Sequence, residues 1–414
     1  MASPDFYDDL ESRSPAARDK DQMAALSAQI ANAKKNSTYY AETLKDFDPK
    51  SVTSRAALAK LPVTRKHDLI ELMRDKPPLG GLNAVPISEA ALIFTSPGPI
   101  FELMTDSPDA SGMARAVYAA GVRKGDIVHN AFSYHLTPGA WILHYGLRAV
   151  GAAVIPGGVG NTEQQVAVMA QIRPTVYSGT PDYLKTLLEK AAEMGLDLSS
   201  VKRAIVGGGP LFPQLRQEYN DLGIEVYQSF ATAELGNIAY ETAALEGMTV
   251  AEDKILEVLV PGTGDPVKGE GDVGEMVVTT LHPDCPLIRF ATGDLTAVLP
   301  GPSKCGRTNM RIKGWMGRAD QTTKVRGMFV HPEQVAEVVM RHAEIVKARL
   351  EVDAEGTKDL ARFKVEVAGG DDALSAKVAE TFQAVCKVRG TIEFVEPGSL
   401  PNDGKVIDDV RKFD

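Results

Sequence analysis

Arg203-Ala-Ile-Val-Gly-Gly-Gly-Pro210 is a short apolar run that stops against three glycines and a proline. A run of this length, closed by residues that permit a tight turn, reads as a buried strand delivering its carboxyl end to a loop. The same rhythm repeats upstream. Ala91 to Phe94, Ala152 to Ile155 and Thr175 to Tyr177 are comparable runs, and helical stretches at Gln164 to Gln171 and Tyr183 to Met194 lie among them. Alternation of this kind predicts βαβ units around a largely parallel sheet, so the expected fold class is α/β.

Further out the pattern changes on both sides. Up to about residue 75 the chain is helical and amphipathic, and Thr64 reads as the N-cap of a helix from Arg65 to Met73. Between Ile255 and Val298 short apolar runs are punctuated by Pro261-Gly-Thr-Gly264 and Lys268-Gly-Glu-Gly271, which predicts hairpins and a β-rich subdomain. After Asp320 the order is strand, helix (Pro332 to His342), two strands, helix (Asp371 to Cys386) and strand (Thr391 to Val395). That is a small α+β unit able to move as one body. The expected division is a large N-terminal domain, 1–319, and a small C-terminal lid domain, 320–414.

A chain of 414 residues with 44% apolar and 24% charged residues has the balance of a folded globular protein with more than one core. A net charge of −10 leaves no basic excess to neutralise nucleic-acid phosphates. The first residues, Met-Ala-Ser-Pro-Asp-Phe-Tyr-Asp-Asp, are acidic where a secretory signal carries positive charge, and no apolar stretch approaches a membrane span. A cytoplasmic location is therefore expected, with no membrane and no nucleic-acid partner. The three cysteines, Cys285, Cys305 and Cys386, are too few for a disulfide framework, which agrees with a reducing compartment.

Five segments carry the chemistry. Gly207, Gly208 and Gly209 would let a flat ring approach backbone at a strand end. Tyr227-Gln-Ser-Phe-Ala-Thr-Ala-Glu234 closes a second expected strand with an aromatic ring at Phe230 and a carboxylate at Glu234, an oxygen ligand suited to Mg²⁺. Phe290-Ala-Thr-Gly-Asp-Leu295 sets Asp294 behind a glycine turn, where it can accept hydrogen bonds from paired ribose hydroxyls. Gly317-Arg-Ala-Asp320 and Asp403-Gly-Lys405 complete the series. Taken singly, each has a plainer reading as turn chemistry, a surface ion pair or a loop lysine. Their joint order is what suggests ATP-driven activation of a carboxylic acid.

From Asn36 to Phe413 the chain resembles the phenylacetate-CoA ligase branch of the adenylate-forming (acyl-CoA synthetase) superfamily. Leu61-Pro-Val-Thr-Arg-Lys66, Asn130-Ala-Phe-Ser-Tyr134, Val154-Ile-Pro-Gly157, Gly160-Asn-Thr-Glu163, Gly179-Thr-Pro-Asp-Tyr183 and Cys305-Gly-Arg-Thr308 carry the resemblance beside the segments above. It implies ATP and CoA as co-substrates and acyl-AMP as intermediate. Glu234 would bind Mg²⁺, Asp294 and Arg318 the ribose, and Gly207 to Gly209, Pro210, Ser229, Phe230 and Ala231 the rest of the nucleotide. Lys405 would be the adenylation lysine, Asp320 the hinge, and Val325-Arg-Gly327 the face offered to CoA. Phe132, Tyr134, His135 and Tyr145 fall in the acyl-pocket region, which points to an aromatic or similarly flat acid; ordinary core packing, or a turn at His135, is the plainer reading.

The chain departs from this pattern at Phe94-Thr-Ser-Pro-Gly-Pro-Ile-Phe101, the counterpart of the phosphate loop. Pro97 and Pro99 remove two N–H donors and no lysine is present, leaving Thr95, Ser96 and Gly98 to meet phosphate. Phe230, Ala231 and Ala233 likewise stand where the family carries tyrosine, glycine and threonine. A nucleotide- or acyl-CoA-binding homologue without adenylation is the competing reading, and a carrier-protein thiol is the alternative acceptor. His282, Cys285 and Cys305 form at best a partial zinc set, with structural thiols the preferred reading. A homodimer is the default expectation for a soluble enzyme.

Overall fold

The computed structural model describes residues 5–66, 68–96, 100–209, 211–326, 328–355, 358–401 and 405–411. The chain opens with a long helix, Pro15–Asn36, started by Ser14, whose side chain accepts the Ala17 N–H, and by proline at the first position. Three short strands follow. Strand β1 is Thr64–Arg65, and β2 (Leu92–Ser96) and β3 (Ile100–Met104) form a separate two-stranded hairpin. The parallel core follows, with β4 (Ile127–Asn130), β5 (Ala153–Pro156), β6 (Val176–Gly179), β7 (Arg203–Val206) and β8 (Glu225–Thr232). Then come β9 (Gly236–Tyr240), β10 (Met248–Val250), β11 (Lys254–Leu259), β12 (Gly274–Thr280), β13 (Phe290–Thr296), β14 (Val298–Leu299) and β15 (Arg311–Ile312).

The main sheet has nine strands in the order β14-β15-β10-β9-β8-β7-β6-β4-β5. Its half from β5 to β8 is parallel, and from β8 onward each pairing is antiparallel. Strand β7 shows why the parallel half is apolar throughout. Ala204 and Val206 join Val166, Leu184 and Leu187 on one face, while Ile205 joins Val117, Ile142 and Leu147 on the other. Helices cover both faces, so alternate residues are buried in opposite directions. A second sheet, β1-β13-β12-β11, packs with the N-terminal helices around Leu26, Ile30, Leu58, Ile255, Val278 and Phe290.

Beyond a single 3-10 turn, Ala319–Gln321, the chain builds β16 (Thr323–Val325), β17 (Met328–Val330), β18 (Lys347–Glu355), β19 (Lys358–Glu366), β20 (Thr391–Val395) and β21 (Ile407–Asp409). A sheet in the order β20-β19-β18-β21 and helices Pro332–Met340 and Asp372–Cys386 enclose their own core, from Val325 to Ile407. Among the described residues no helix is long and apolar enough to cross a membrane.

Two expectations change. Thr64 is not a helix cap: its N–H donates to Arg289 O and the Lys66 N–H to Ala291 O, so the segment joins β13 in parallel and the helix begins only at Asp68. Pairing with a strand distant in sequence overrides the local capping signal. The Ala91 to Phe94 run likewise leaves the parallel sheet and pairs with β3.

Arg289, 1% exposed, holds the second sheet to the N-terminal segment. Its Nε donates to Glu257 Oε2 at 3.0 Å, Nη1 to the carbonyls of Ala59 and Leu61, and Nη2 to that of Gly264. Replacing one partner of such a pair strands a buried charge and several acceptors. Arg289→Met is expected to lower unfolding free energy by about 3–5 kcal/mol in urea titrations. The double variant Arg289→Met/Glu257→Leu is expected to recover part of that loss; a single variant within about 1 kcal/mol of the parent would contradict this role.

Candidate active site

Strand β7 ends at Val206 and the glycines begin at once. Gly207 has to be glycine: a Cβ there would lie 2.8 Å from the Ser229 carbonyl oxygen of the neighbouring strand. The close approach opens a cavity of about 470 Å³ lined by Gly207 to Gly209, Gln228 to Thr232, Met248, Asp294 and Lys313 to Trp315. A second cavity, about 460 Å³, is lined by Ser96, Phe132, Pro138, Gly139, Ile142 and Leu143. Gly207, Gly208, Ser229, Ala231 and Thr232 line both, so the two meet along the end of β8.

Asp294 forms the far wall of the first cavity. Its Oδ1 accepts from Trp315 Nε1 at 3.1 Å and from Arg318 Nη1 at 3.2 Å, and its own N–H donates to Thr292 Oγ1. Burial pushes this carboxyl above its ordinary range, with Arg318 and Trp315 pulling it back. Gly293, at φ +76°, leaves room for the guanidinium: a Cβ there would sit 2.6 Å from Arg318 Nη2. Trp315, half exposed, had no signal of its own in the sequence beyond standing two residues before Gly317-Arg-Ala-Asp320.

Glu234 follows β8 directly, in the turn before β9, and its side chain is 3% exposed. Lys66 Nζ lies 2.8 Å from Glu234 Oε1, a charge contact without hydrogen-bond alignment, since neither carboxylate oxygen has a hydrogen-bond donor. The charges of Glu234 and Lys66 also act on Glu102 of β3. Glu102 is buried, accepts from Ser96 Oγ at 2.7 Å through Oε1, and has no partner at Oε2. Burial pushes its carboxyl up to about 7, Ser96 works against that shift, and Glu234 adds to it. Lys66 and Glu102 were missed as site residues because they sit far from Glu234 in sequence, one after a short strand and one inside an ordinary apolar hairpin.

The remaining expectations fall as follows. Phe132 lines the second cavity, but Tyr134, His135 and Tyr145 are not among its lining residues. The Tyr134 hydroxyl meets Asn130 Nδ2 at 2.9 Å and His144 Nδ1 at 3.2 Å, and its ring packs edge-on against Trp141. His135 is exposed, its N–H turned to Ser133 Oγ, and Tyr145 is half-buried beside His144. Of the four expected aromatic-pocket positions, Phe132 alone is among the residues lining the second cavity. Lys405 is exposed and pairs with Asp408 Oδ1 at 2.8 Å; neither cavity includes it among its lining residues. Asp320 sits in the turn Ala319–Gln321. Gly98, Pro210 and Gly327 lie outside the described residues. Among those described, no three His, Cys, Asp or Glu side chains gather in a set that could hold a metal ion. Cys285 is half-buried, with desolvation pushing its thiol up to about 12, and Cys305 is held below the ordinary range because hydrogen bonds, led by that from Ser303, outweigh its burial.

Residues 109–282 match the model of the AMP-binding enzyme family. The chain is 35% identical over 360 residues to a phenylacetate-coenzyme A ligase of Thermus thermophilus, covering 80% of this chain and 78% of that one. Against the phenylacetate-coenzyme A ligase of Aromatoleum evansii it is 32% identical, covering 84% and 81%. Among solved structures, an open conformation of 2-hydroxyisobutyryl-CoA ligase in complex with 2-HIB-AMP and CoA superimposes with a TM-score of 0.84 at 25% identity, over 96% of this chain and 93% of that one. The same enzyme in its thioesterification state, over 97% and 92%, gives 0.71. The confluent cavities, the motifs in their order and these likenesses converge: the chain belongs to the phenylacetate-CoA ligase family of AMP-binding, adenylate-forming enzymes.

Proposed function

We propose that this chain is an AMP-forming acid–CoA ligase whose acid is aromatic or similarly flat and apolar. The observation that carries the reading is the pair of cavities meeting at Gly207, Ser229 and Thr232, one walled by Asp294 and the other by Phe132, Ile142 and Leu143. In the first half-reaction a carboxylate oxygen of the acid attacks the α-phosphorus of ATP, and pyrophosphate leaves with its bonding pair. In the second, the CoA sulfur attacks the acyl carbon and AMP leaves. The shared edge puts the acid's carboxylate beside the nucleotide, so the two reactants meet without diffusing apart.

The nucleotide sits with its ring along Gly207 to Gly209 and Phe230 and its ribose hydroxyls on Asp294. Arg318 and Trp315 hold that carboxylate in one orientation, which limits the ordering left to binding. Glu234 suits Mg²⁺ by chemistry and by state: it is a buried carboxylate whose oxygens lack hydrogen-bond donors. The ion supplies charge neutralisation at the phosphates. Phe132, Ile142 and Leu143 exclude water from the acyl side, and the similarity to phenylacetate-CoA ligases supports a flat acid.

The small domain, 320–414, is the moving part, turning about Asp320 to bring Lys405 to the α-phosphate and then to expose the Val325-Arg-Gly327 face to CoA. Lys405 paired with Asp408 on the surface is consistent with a conformation outside the adenylation step. The difference between TM-scores of 0.84 and 0.71 against two states of one neighbour, at nearly equal coverage, supports the same motion. A homodimer and a cytoplasmic location complete the reading.

Lys405→Ala is expected to lower acid-dependent pyrophosphate release about 100- to 1,000-fold while largely retaining thioester formation from supplied acyl-adenylate and CoA. Equal loss of both half-reactions would place the lysine elsewhere. Asp294→Ala is expected to raise the KM for ATP about 10- to 100-fold, read from initial rates at saturating acid. A panel of aromatic and short aliphatic acids tests the whole reading: ATP binding with no pyrophosphate release for any acid would sink it.

A further inference from the structure

We propose that Ile142 determines which acids the site accepts: it is the partition between the acid cavity and a buried polar void behind it, and it restricts the site to acids whose far end carries no hydrogen-bonding group. The inference rests on the acid–CoA ligase reading and deepens it, from the shape of the acid to the polarity of its distal end.

Behind the acid cavity lies a void of about 60 Å³. Ile142 and Ala233 line both spaces, so at these positions the wall between them is one residue thick. The two sides differ in chemistry. With its carboxylate at the edge shared with the nucleotide cavity, the acid extends toward Phe132, Ile142 and Leu143. The hydroxyls of Ser96 and Thr137, also on that cavity, are already donated to Glu102 Oε1 and to the Ser133 carbonyl. The void instead is lined by Ser111, Glu234, Asp253, Lys254, His282 and Asp284. Lys254, 3% exposed, is ion-paired with Asp253 Oδ2, while Asp253 Oδ1 is buried without a hydrogen-bond donor. A buried acceptor of this kind favours any donor that reaches it. The void is several times the roughly 10–15 Å³ that one water needs, which leaves room for a hydroxyl or amino group.

The partition is held in place. Ile142 is 3% exposed in the helix Gly139–Val150, and its carbonyl accepts the Ser111 hydroxyl at 2.7 Å. One turn on, Gly146 lets the helix close onto Met113, where a Cβ would come within 2.6 Å of the Met113 side chain. A β-branched side chain in a helix has one strongly preferred χ1, so Ile142 has little freedom to swing aside for a longer acid. An acid hydroxyl pressed against it leaves water and gains no partner. Removing the side chain past Cβ joins the two spaces and gives that hydroxyl the polar lining of the void.

The test compares matched acids, phenylacetate with 4-hydroxyphenylacetate and hexanoate with 6-hydroxyhexanoate, by kcat/KM for pyrophosphate release on the full chain with Mg²⁺-ATP and CoA. Each ratio is taken within one preparation, so a loss of folded protein cancels. The parent is expected to prefer the apolar member about 10- to 100-fold, and Ile142→Ala to cut that preference at least about 10-fold. Leu143→Ala enlarges the acid cavity at a residue that is not among those lining the void, and should leave the preference within about 3-fold of the parent's. If Ile142→Ala loses its thermal transition, Ile142→Thr, which brings a hydroxyl to the partition at little change in volume, is read by the same ratio and should move it the same way. A parent without the preference, an unchanged ratio in the Ile142 variant, or an equal relaxation in Leu143→Ala would overturn the proposal and leave the ligase reading standing. No pyrophosphate release by the parent with any acid would remove that reading and the proposal with it.

Discussion

Strand β8 is hydrogen-bonded in parallel to β7 along residues 225–228 and antiparallel to β9 along 229–232. A strand that changes partner orientation along the sheet is a topological boundary, and the register shift between Phe230 and Ala231 marks where the backbone adjusts to it. The rest of the site depends on that boundary. Ligands in open α/β sheets collect beyond the carboxyl ends of the strands where the connection pattern changes. Here those ends are Val206 and Thr232, and the glycines after one and Glu234 after the other follow directly.

Around this boundary the architecture is tied by buried ion pairs rather than by apolar contact alone. Arg289 has been described above. At the start of the chain Glu11, 1% exposed, accepts from Arg307 Nε at 2.6 Å and from the Tyr240 hydroxyl at 3.1 Å, and Arg18 Nε reaches Glu252 at 2.9 Å. Such pairs cost desolvation and bring little net stability, so their effect is on uniqueness: a slipped N-terminal segment would leave charges buried without partners. They hold Glu11 and Arg18 of the N-terminal segment to β9 and to the stretch just before β11.

Much of this was legible in the sequence because it is local. The runs at Arg203 to Val206 and Thr391 to Val395 carry their own periodicity and became strands with the boundaries expected. Asp294 and Arg318 are announced by glycines that their neighbours require. What was not legible depends on pairing between distant segments. Thr64 has the chemistry of a cap until β13 supplies a strand edge, and Lys66 has no visible role until Glu234 is folded beside it. Glu102 carried no signal because alternation in a hairpin explains it equally well as a side chain facing solvent. Tyr134 and Tyr145 were readable as aromatic, but which way a ring turns is set by partners such as Trp141 and His144 that sequence order does not single out.

The shared wall between the two cavities has a consequence for how substrate preference can drift over evolutionary time. Gly207, Ser229, Ala231 and Thr232 line both cavities, so under the proposed reading a mutation there that admits a new acid also disturbs the cosubstrate every turnover needs. The opposite wall, Phe132 with Ile142 and Leu143, lines the acid cavity and not the nucleotide one. Divergence toward new acids is therefore channelled into one side of the chamber, and homologues with different substrates should vary at those positions while β8 stays nearly constant.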